Sequence, residues 1–191
     1  MAKKILILSG SPRKEGNTKT VVNWVSEGAK DLGALVEIID VAGLDFQSFG
    51  CRACMGCQSS DKFECIVEDE VSKILVDIPS YDILIFATPL YFFGPTAQLK
   101  AFTDRMYSLF KYNEQTKSFD HNLEHITLGL VSTGGGSDFS SLNQLFNIFA
   151  KFMGNNYESL LIPFIHSSEK LKNSESIRQK AIIFGQKLLS A

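Results

Sequence analysis

Residues 4–18 have the sequence Lys-Ile-Leu-Ile-Leu-Ser-Gly-Ser-Pro-Arg-Lys-Glu-Gly-Asn-Thr. The aliphatic run at 5–8 is typical of a short, buried parallel strand. It ends at Ser9-Gly10-Ser11-Pro12, a cluster of residues that favours a loop. Beyond Thr18 the apolar residues recur at helical spacing, at Val21, Val25 and Ala29. The stretch therefore predicts a strand, a polar loop and a helix.

The loop between this strand and helix has the chemistry of an anion site. A helix N-terminus presents free N–H groups and a partial positive charge. The loop adds Ser11, Arg13, Asn17 and Thr18, and each charge-assisted hydrogen bond to an anion contributes about 1.5–3 kcal/mol. The spacing matches neither a Walker loop nor a Gly-x-Gly-x-x-Gly fingerprint. We predict a phosphate-binding loop, with an ordinary capped turn and a surface arginine as the alternative.

Length and composition suit one globular domain over residues 1–191, with 45% hydrophobic and 21% charged residues. A net charge of −2 gives no reason to expect nucleic acid or an anionic membrane as a partner. No apolar run is long enough for a membrane span or a signal-peptide core. We therefore expect a cytoplasmic protein whose four cysteines stay out of structural disulfides.

Strand and helix patterns alternate along the rest of the chain. Short apolar strands that alternate with helices predict a parallel sheet covered on both faces. Right-handed crossovers make it a doubly wound α/β sheet, in which ligands bind at the carboxyl ends of the strands, at the point where the winding reverses. The further strands are predicted at 35–41, 81–88, 126–133 and 160–165, the further helices around 71–78, 99–109, 142–152 and 177–188, and a polar loop at 111–122.

Two more loops at the predicted carboxyl edge have unusual compositions. Residues 88–96, Thr-Pro-Leu-Tyr-Phe-Phe-Gly-Pro-Thr, place three aromatic residues between prolines, and Tyr91 offers a flat surface. Residues 132–137, Ser-Thr-Gly-Gly-Gly-Ser, are predicted to form a glycine loop able to lie flat against a ring, with a plain surface turn as the alternative. Together with the anion site they predict a planar heterocycle on a phosphorylated tail. The alternative is that the aromatic residues fill the core or a subunit interface, with Phe93 the predicted core residue.

These motifs resemble a known family. Gly-Ser-Pro-Arg-Lys-x-Gly-Asn-Thr at 10–18, Thr-Pro-Leu-Tyr-Phe-Phe-Gly-Pro at 88–95 and Lys-x-Phe-x-Asp-Arg at 100–105 are similar to the flavodoxin-like NAD(P)H-dependent FMN reductases. The resemblance runs from residue 3 to about 165. It implies a flavodoxin-like five-stranded sheet, with a cysteine-bearing insertion at about 43–66 that is similar to the iron–sulfur flavoprotein branch.

The resemblance also implies a cofactor site. FMN would take hydride at its N5 from NAD(P)H, so no side chain is expected to be catalytic. The family's members are commonly homodimers or homotetramers. The positions implied to contact FMN are Ser11, Arg13, Asn17 and Thr18 at the phosphate, Pro89, Leu90, Tyr91 and Phe92 at the ring and ribityl chain, and Thr133, Gly134 and Gly135 on the far side of the ring.

All four cysteines lie within 15 residues, as Cys51-x2-Cys54-x2-Cys57-x7-Cys65. Thiolates at such short spacing suit a soft metal centre. The compact first three resemble the bacterial ferredoxin run of a [4Fe–4S] cluster, although the seven-residue gap is at the long end of the branch's pattern. A zinc site and free thiols are the alternatives.

The predicted function is an FMN-dependent oxidoreductase. It would pass electrons from NAD(P)H to a flavin, a quinone, a nitro or azo compound, or an electron carrier, with the cluster as a one-electron relay. One alternative is a flavodoxin-like electron carrier without its own NAD(P)H reductase activity. A phosphate-binding hydrolase without flavin is less well supported, because no cysteine lies in the predicted phosphate loop.

Overall fold

The computed structural model describes residues 1–190, and its centre is a five-stranded parallel sheet of order β2-β1-β3-β6-β7. This order confirms the predicted flavodoxin-like, doubly wound sheet, with the winding reversing between the first and third strands. The strands are β1 (Lys4–Ser9), β2 (Leu35–Asp40), β3 (Ile83–Pro89), β6 (Thr127–Thr133) and β7 (Tyr157–Ile162).

Helices cover both faces of the sheet, as predicted. Apolar side chains of α1 and α7 pack on one face, and those of α3, α4 and α5 pack on the other. No helix within residues 1–190 is long and apolar enough to cross a membrane. The helices are α1 (Asn17–Asp31), α2 (Gly56–Ser59), α3 (Glu70–Asp77), α4 (Ala97–Arg105), α5 (Ser140–Phe152), α6 (Ser168–Lys172) and α7 (Glu175–Lys187).

Helices α1 and α7 cross at a pair of glycines. A Cβ at Gly28 would lie 2.2 Å from the backbone oxygen of Ile182, and a Cβ at Gly185 would lie 2.1 Å from that of Val25. Only glycine fits at such a close approach of two backbones. The crossing holds α7 against α1 and so supports the helix that begins at the predicted phosphate loop.

A predicted loop and the end of a predicted strand were wrong. The polar segment 111–122 contains an antiparallel hairpin of β4 (Lys111–Asn113) and β5 (Ser118–Asp120), in which Tyr112 pairs with Phe119 at a ring-centroid distance of 5.3 Å. A cross-strand aromatic pair stabilises a hairpin whose other residues are polar. The last strand ends at Ile162, just before Pro163, because proline cannot donate to a sheet.

The carboxyl ends of the central strands lie side by side. Ser9 is in register with Ala87 and Asp40, and Pro89 is in register with Thr133. The loops that follow β1, β3 and β6 therefore open on one edge of the sheet. The segment with the cysteines leaves the same edge, since it begins where β2 ends.

Candidate functional site

An open cleft of about 130 Å³ lies at this edge of the sheet, and its lining includes residues of all three loops. Gly16 and Ile165 line it as well, although the sequence did not single them out as ligand contacts. Phe92 is not among the lining residues and is 99% exposed. Ten of the eleven predicted contact residues line the cleft: Ser11, Arg13, Asn17, Thr18, Pro89, Leu90, Tyr91, Thr133, Gly134 and Gly135.

One end of the cleft is the N-terminus of α1. No side chain caps this helix, whose N-cap is Gly16, and its first turn has no acidic residue. Helix α3, in contrast, is capped by Asp69, which accepts a hydrogen bond from the Ser72 backbone N–H. The uncapped N–H groups and the helix dipole of α1 therefore remain available to an anion in the cleft.

The loop before α1 curls tightly. The Ser11 hydroxyl accepts a hydrogen bond from the Arg13 backbone N–H at 3.3 Å, and the Gly16 N–H donates to the Arg13 carbonyl at 3.2 Å. A Cβ at Gly16 would lie 3.0 Å from the Arg13 Cβ, so the curl favours glycine. Among residues 1–190, Arg13 forms no ion pair, and its exposed guanidinium can contact an anion at the cleft.

A side-chain hydrogen bond joins helix α1 to the start of the glycine loop after β6. Thr18 Oγ1 and Thr133 Oγ1 lie 2.9 Å apart, and both residues are buried. The resemblance implied Thr18 at the phosphate and Thr133 beside the ring, and in the structure the two side chains meet at the wall of the cleft. The glycine loop is bonded in turn to the segment after β7, where the Ile165 N–H donates to the Gly134 carbonyl. This bond explains how Ile165 reaches the cleft, which no local pattern in the sequence indicates.

The aromatic loop after β3, residues 88–96, contains a tight turn whose three aromatic side chains are exposed to solvent. Tyr91 and Gly94 exchange two backbone hydrogen bonds of 3.0 Å. The two residues between them, Phe92 and Phe93, have left-handed backbones with φ of 45° and 65°, a conformation that bulky residues rarely adopt. The prediction that Phe93 belongs to the core was wrong, since it is 59% exposed. The turn directs Phe93 outwards, beside a nearly fully exposed Phe92.

The four cysteines line a second, smaller cavity. Cys57 is buried and Cys65 half-buried, while Cys51 and Cys54 are exposed. The wall of this cavity includes Arg105, from the end of α4, together with Tyr107 and Ser108 of the 3₁₀ turn Met106–Leu109. The fold thus places all four cysteines around one cavity. The rest of the cavity wall includes residues about 40 positions after Cys65 in the chain.

Nitrogen donors reach three of the four sulfur atoms. The Ala53 N–H donates to Cys51 Sγ at 3.4 Å, Gln58 Nε2 to Cys57 Sγ at 3.6 Å, and Arg105 Nη2 to Cys65 Sγ at 3.5 Å. Ala53 and Met55 have left-handed backbones, with φ of 51° and 59°. Such strain at non-glycine residues is typical of functional loops.

Within residues 1–190, no three His, Cys, Asp or Glu side chains lie close enough together to hold a single metal ion. A tetrahedral zinc site needs such a group, whereas a [4Fe–4S] cluster takes each thiolate on a different iron atom. The described residues therefore hold no ready-made site for a single metal ion such as zinc.

A buried ion pair fixes the wall of the cysteine cavity. Arg105 donates two hydrogen bonds to Asp69, and each side chain is 1% exposed. Burial raises the pKa of Asp69, but hydrogen bonds from Arg105, Ser72 and Gln47 outweigh this effect and leave the pKa below its usual value. The neighbouring Asp104 pairs with Lys100.

The fold is that of a flavodoxin-like protein, with a cleft between the start of α1 and the aromatic and glycine-rich loops. The chain belongs to the NADPH-dependent FMN reductase family, whose model matches residues 3–159, and it falls in the iron–sulfur flavoprotein branch, as its motifs predicted. Membership of this family makes it an oxidoreductase.

Two sequence relatives carry the branch name. An iron–sulfur flavoprotein of Methanocaldococcus jannaschii is 30% identical over 149 residues, which cover 76% of this chain and 71% of the relative. An iron–sulfur flavoprotein of Methanosarcina thermophila is 31% identical over 115 residues, which cover 60% of this chain and 58% of the relative. The match thus leaves about two fifths of the second relative unaccounted for.

Solved structures share the fold. An FMN-dependent NADH-azoreductase from Bacillus anthracis has a TM-score of 0.72 at 17% identity, over 97% of this chain and 99% of its own. An NAD(P)H:quinone oxidoreductase from Methanothermobacter marburgensis has a TM-score of 0.71 at 16% identity, over 98% and 97%. At such identities the likeness establishes the architecture alone.

Proposed function

We propose that the chain binds FMN in the cleft at the carboxyl edge, accepts hydride from NAD(P)H, and passes the electrons to a small-molecule acceptor or an electron carrier. The observation that carries the proposal is the convergence of an uncapped helix N-terminus, a free arginine and two loops suited to a flat ring in one cleft. Bound FMN supplies the hydride and electron chemistry. The residues of the chain bind and orient it.

The phosphate of FMN would lie against the first turn of α1. Arg13 contributes a charge, and the Ser11 side chain and the helix N–H groups add hydrogen bonds. The Asn17 side chain has a buried Oδ1 without a partner in the described part of the chain. A ribityl hydroxyl could donate to this oxygen, or the amide could turn so that its NH₂ group faces the phosphate. The cleft therefore contains an unpaired polar atom that FMN can satisfy.

The ring of FMN would lie between the aromatic loop and the glycine loop. Leu90 and Tyr91 line the cleft from one side, and Gly134 and Gly135 line it from the other. Arg13 is the single charged residue of the lining, so the side chains there offer no carboxylate or imidazole for acid–base catalysis. This composition supports positioning as the main contribution of the protein.

We also propose that Cys51, Cys54, Cys57 and Cys65 hold a [4Fe–4S] cluster. Their common cavity and the N–H donors at three sulfurs support it. The cavity also contains an unsatisfied group, since Ser108 is 2% exposed and its hydroxyl has no partner within residues 1–190. An inorganic sulfide or a thiolate in the cavity would provide the acceptor. The cluster would accept electrons one at a time, while the flavin exchanges them singly or in pairs.

The deciding experiment is an anaerobic purification followed by an absorbance spectrum and analysis for iron, acid-labile sulfide and zinc. Flavin absorbance with about four iron and four sulfide per chain supports both proposals. Zinc without sulfide, or thiols without metal, would refute the cluster alone. A colourless protein that does not bind added FMN in a titration would refute the flavin site.

Addition of NADH or NADPH to the anaerobic protein separates a reductase from an electron carrier. Rapid bleaching of the flavin absorbance supports the reductase, and the faster of the two nucleotides identifies the donor. Bleaching by dithionite alone would favour the carrier. Comparison of quinone, nitro and azo compounds as oxidants of the bleached protein then identifies the class of acceptor.

We further propose that the chain forms a homodimer or homotetramer in a reducing, cytoplasmic setting. Phe92, Phe93 and Phe164 are exposed near the cleft loops, and α5 exposes Leu145, Ile148 and Phe152. Exposed apolar patches of this kind mark interaction surfaces. A reducing setting would keep the four cysteines available as thiolates for the proposed cluster. Light scattering on a sizing column gives the oligomer size, and a monomer would refute the proposal.

A further inference from the structure

Two buried donors lie in the wall of the cysteine cavity, outside the cysteine segment. Ser108 lines the cavity, and its Oγ has no hydrogen-bond partner within the described residues. A serine in a helical turn ordinarily bonds a preceding carbonyl, and buried hydroxyls without partners are rare. The orphaned hydroxyl therefore indicates an acceptor that belongs in the cavity.

Arg105 is the second donor, and its orientation is fixed. Asp69 holds its guanidinium through two hydrogen bonds, and Nη2 also donates to the Val67 carbonyl at 3.1 Å and to Cys65 Sγ at 3.5 Å. The planar fork of arginine allows one group to serve these partners together. A full positive charge is thus held beside one sulfur of the motif without freedom to turn away.

We propose that Ser108 and Arg105 donate hydrogen bonds to sulfur atoms of the cluster and so set its one-electron reduction potential. The proposal rests on the cluster proposed above. On reduction the cluster gains one electron from the flavin, no bond is broken, and both donors keep their hydrogens. The reduced cluster is more negative by one charge, so donors and a nearby cation stabilise it more than the oxidised form. Both residues should therefore raise the potential.

The first test is Ser108→Ala in the intact holoprotein, titrated potentiometrically under anaerobic conditions and followed by the electron paramagnetic resonance of the reduced cluster. At a fixed applied potential we expect the ratio of reduced to oxidised cluster to fall by about tenfold. For a one-electron couple this corresponds to a potential lower by about 59 mV. Ser108→Thr retains a hydroxyl and should stay close to wild type.

Ser26→Ala is the matched control. Ser26 is also a buried serine, but it lies on α1, against the opposite face of the sheet from α4. Its replacement should leave the cluster potential unchanged. A potential lowered equally by Ser26→Ala would show a general effect of destabilisation and would overturn the proposal.

Arg105→Lys is the second variant, because removal of the whole side chain would leave Asp69 buried without a partner and could prevent folding. Lysine keeps the charge near Asp69 but cannot reach Asp69, Val67 and Cys65 with one planar group. We expect a lower potential and a changed resonance spectrum, with unchanged circular dichroism. If the Ser108→Ala protein failed to assemble its cluster, the reduction potential of Arg105→Lys would still test the proposal.

The outcomes separate this inference from the proposed function. Wild-type protein without iron and sulfide would refute the cluster and, with it, any role of the two donors in tuning it. A full complement of iron and sulfide, with potentials in Ser108→Ala and Arg105→Lys equal to that of wild type, would overturn the inference and leave the cluster standing. Lower potentials in both variants, with Ser26→Ala unchanged, would support it.

Discussion

Arg105 and Asp69 form a two-fold hydrogen-bonded ion pair with both side chains 1% exposed, and this pair joins the end of α4 to the start of α3. Asp69 also caps α3 through the Ser72 N–H and accepts a bond from the Gln47 N–H. One carboxylate thus fixes the beginning of a helix, a loop residue and the arginine that contacts Cys65. The wall of the cysteine cavity depends on this one group.

Asp69→Asn should lower the free energy of unfolding by about 3–5 kcal/mol at pH 7, because it leaves Arg105 buried without its counter-charge. Urea unfolding of the chain without added cofactors measures this value. The matched control is Asp104→Asn, whose partner Lys100 has a side chain 49% exposed. An exposed pair of this kind contributes about 0–1 kcal/mol, so equal losses in the two variants would contradict the argument.

The same pair predicts a dependence on pH. The pKa of Asp69 lies below its ordinary value of 3.8 in the folded chain. Its contribution to stability is therefore complete well above that value and declines as the pH falls through 3.8 towards the folded pKa. The difference between wild type and Asp69→Asn should shrink over that range, and a constant difference would show that the carboxylate charge is irrelevant.

Arg13→Ala should weaken FMN binding by about 1.5–3 kcal/mol, or roughly 10- to 150-fold, because one charge-assisted hydrogen bond to the phosphate is lost. Quenching of FMN fluorescence on titration into the protein measures the affinity. Lys14→Ala is the control, since Lys14 is exposed in the same loop but does not line the cleft. Equal affinities of the Arg13 variant and wild type would remove Arg13 from the site.

The contact between Thr18 and Thr133 can be tested by a double-mutant cycle. Either Thr18→Val or Thr133→Val leaves the other hydroxyl buried without its partner, and each should cost about 1–3 kcal/mol of unfolding free energy. The double variant should cost clearly less than the sum, because both polar groups are gone. Strict additivity in urea unfolding would show that the hydroxyls, 2.9 Å apart, do not interact energetically.

The strained turn at Phe92 and Phe93 offers a gain in stability. Replacement of the two residues by Asn-Gly, which favours left-handed backbones in two-residue turns, should raise the unfolding free energy of the isolated chain by about 1–3 kcal/mol. The Ala-Ala variant removes both rings but keeps the strain, so it should show no such gain. If both variants gained equally, exposure of the rings rather than backbone strain would be the cause.

Much of the architecture could be predicted from local pattern. The strand patterns at 5–8 and 81–88, with helical patterns between them, indicated the parallel sheet, and the carboxyl-edge rule indicated where a ligand would bind. The structure brings ten of the eleven predicted contact residues into one cleft there, and their role in binding FMN stays a prediction. The error at Phe93 arose because composition does not reveal a left-handed turn that directs a large ring into solvent.

The amino-acid sequence by itself determined the order of the five strands of the parallel sheet, the main helices between them and the placement of the three loops, because these follow from periods of two and 3.6 residues and from the handedness of crossovers. Tertiary structure alone decided which side chains meet over long separations. Arg105 and Asp69 are 36 positions apart and Thr18 and Thr133 are 115 apart. Such pairs depend on how whole elements pack against one another, and no local periodicity specifies that packing.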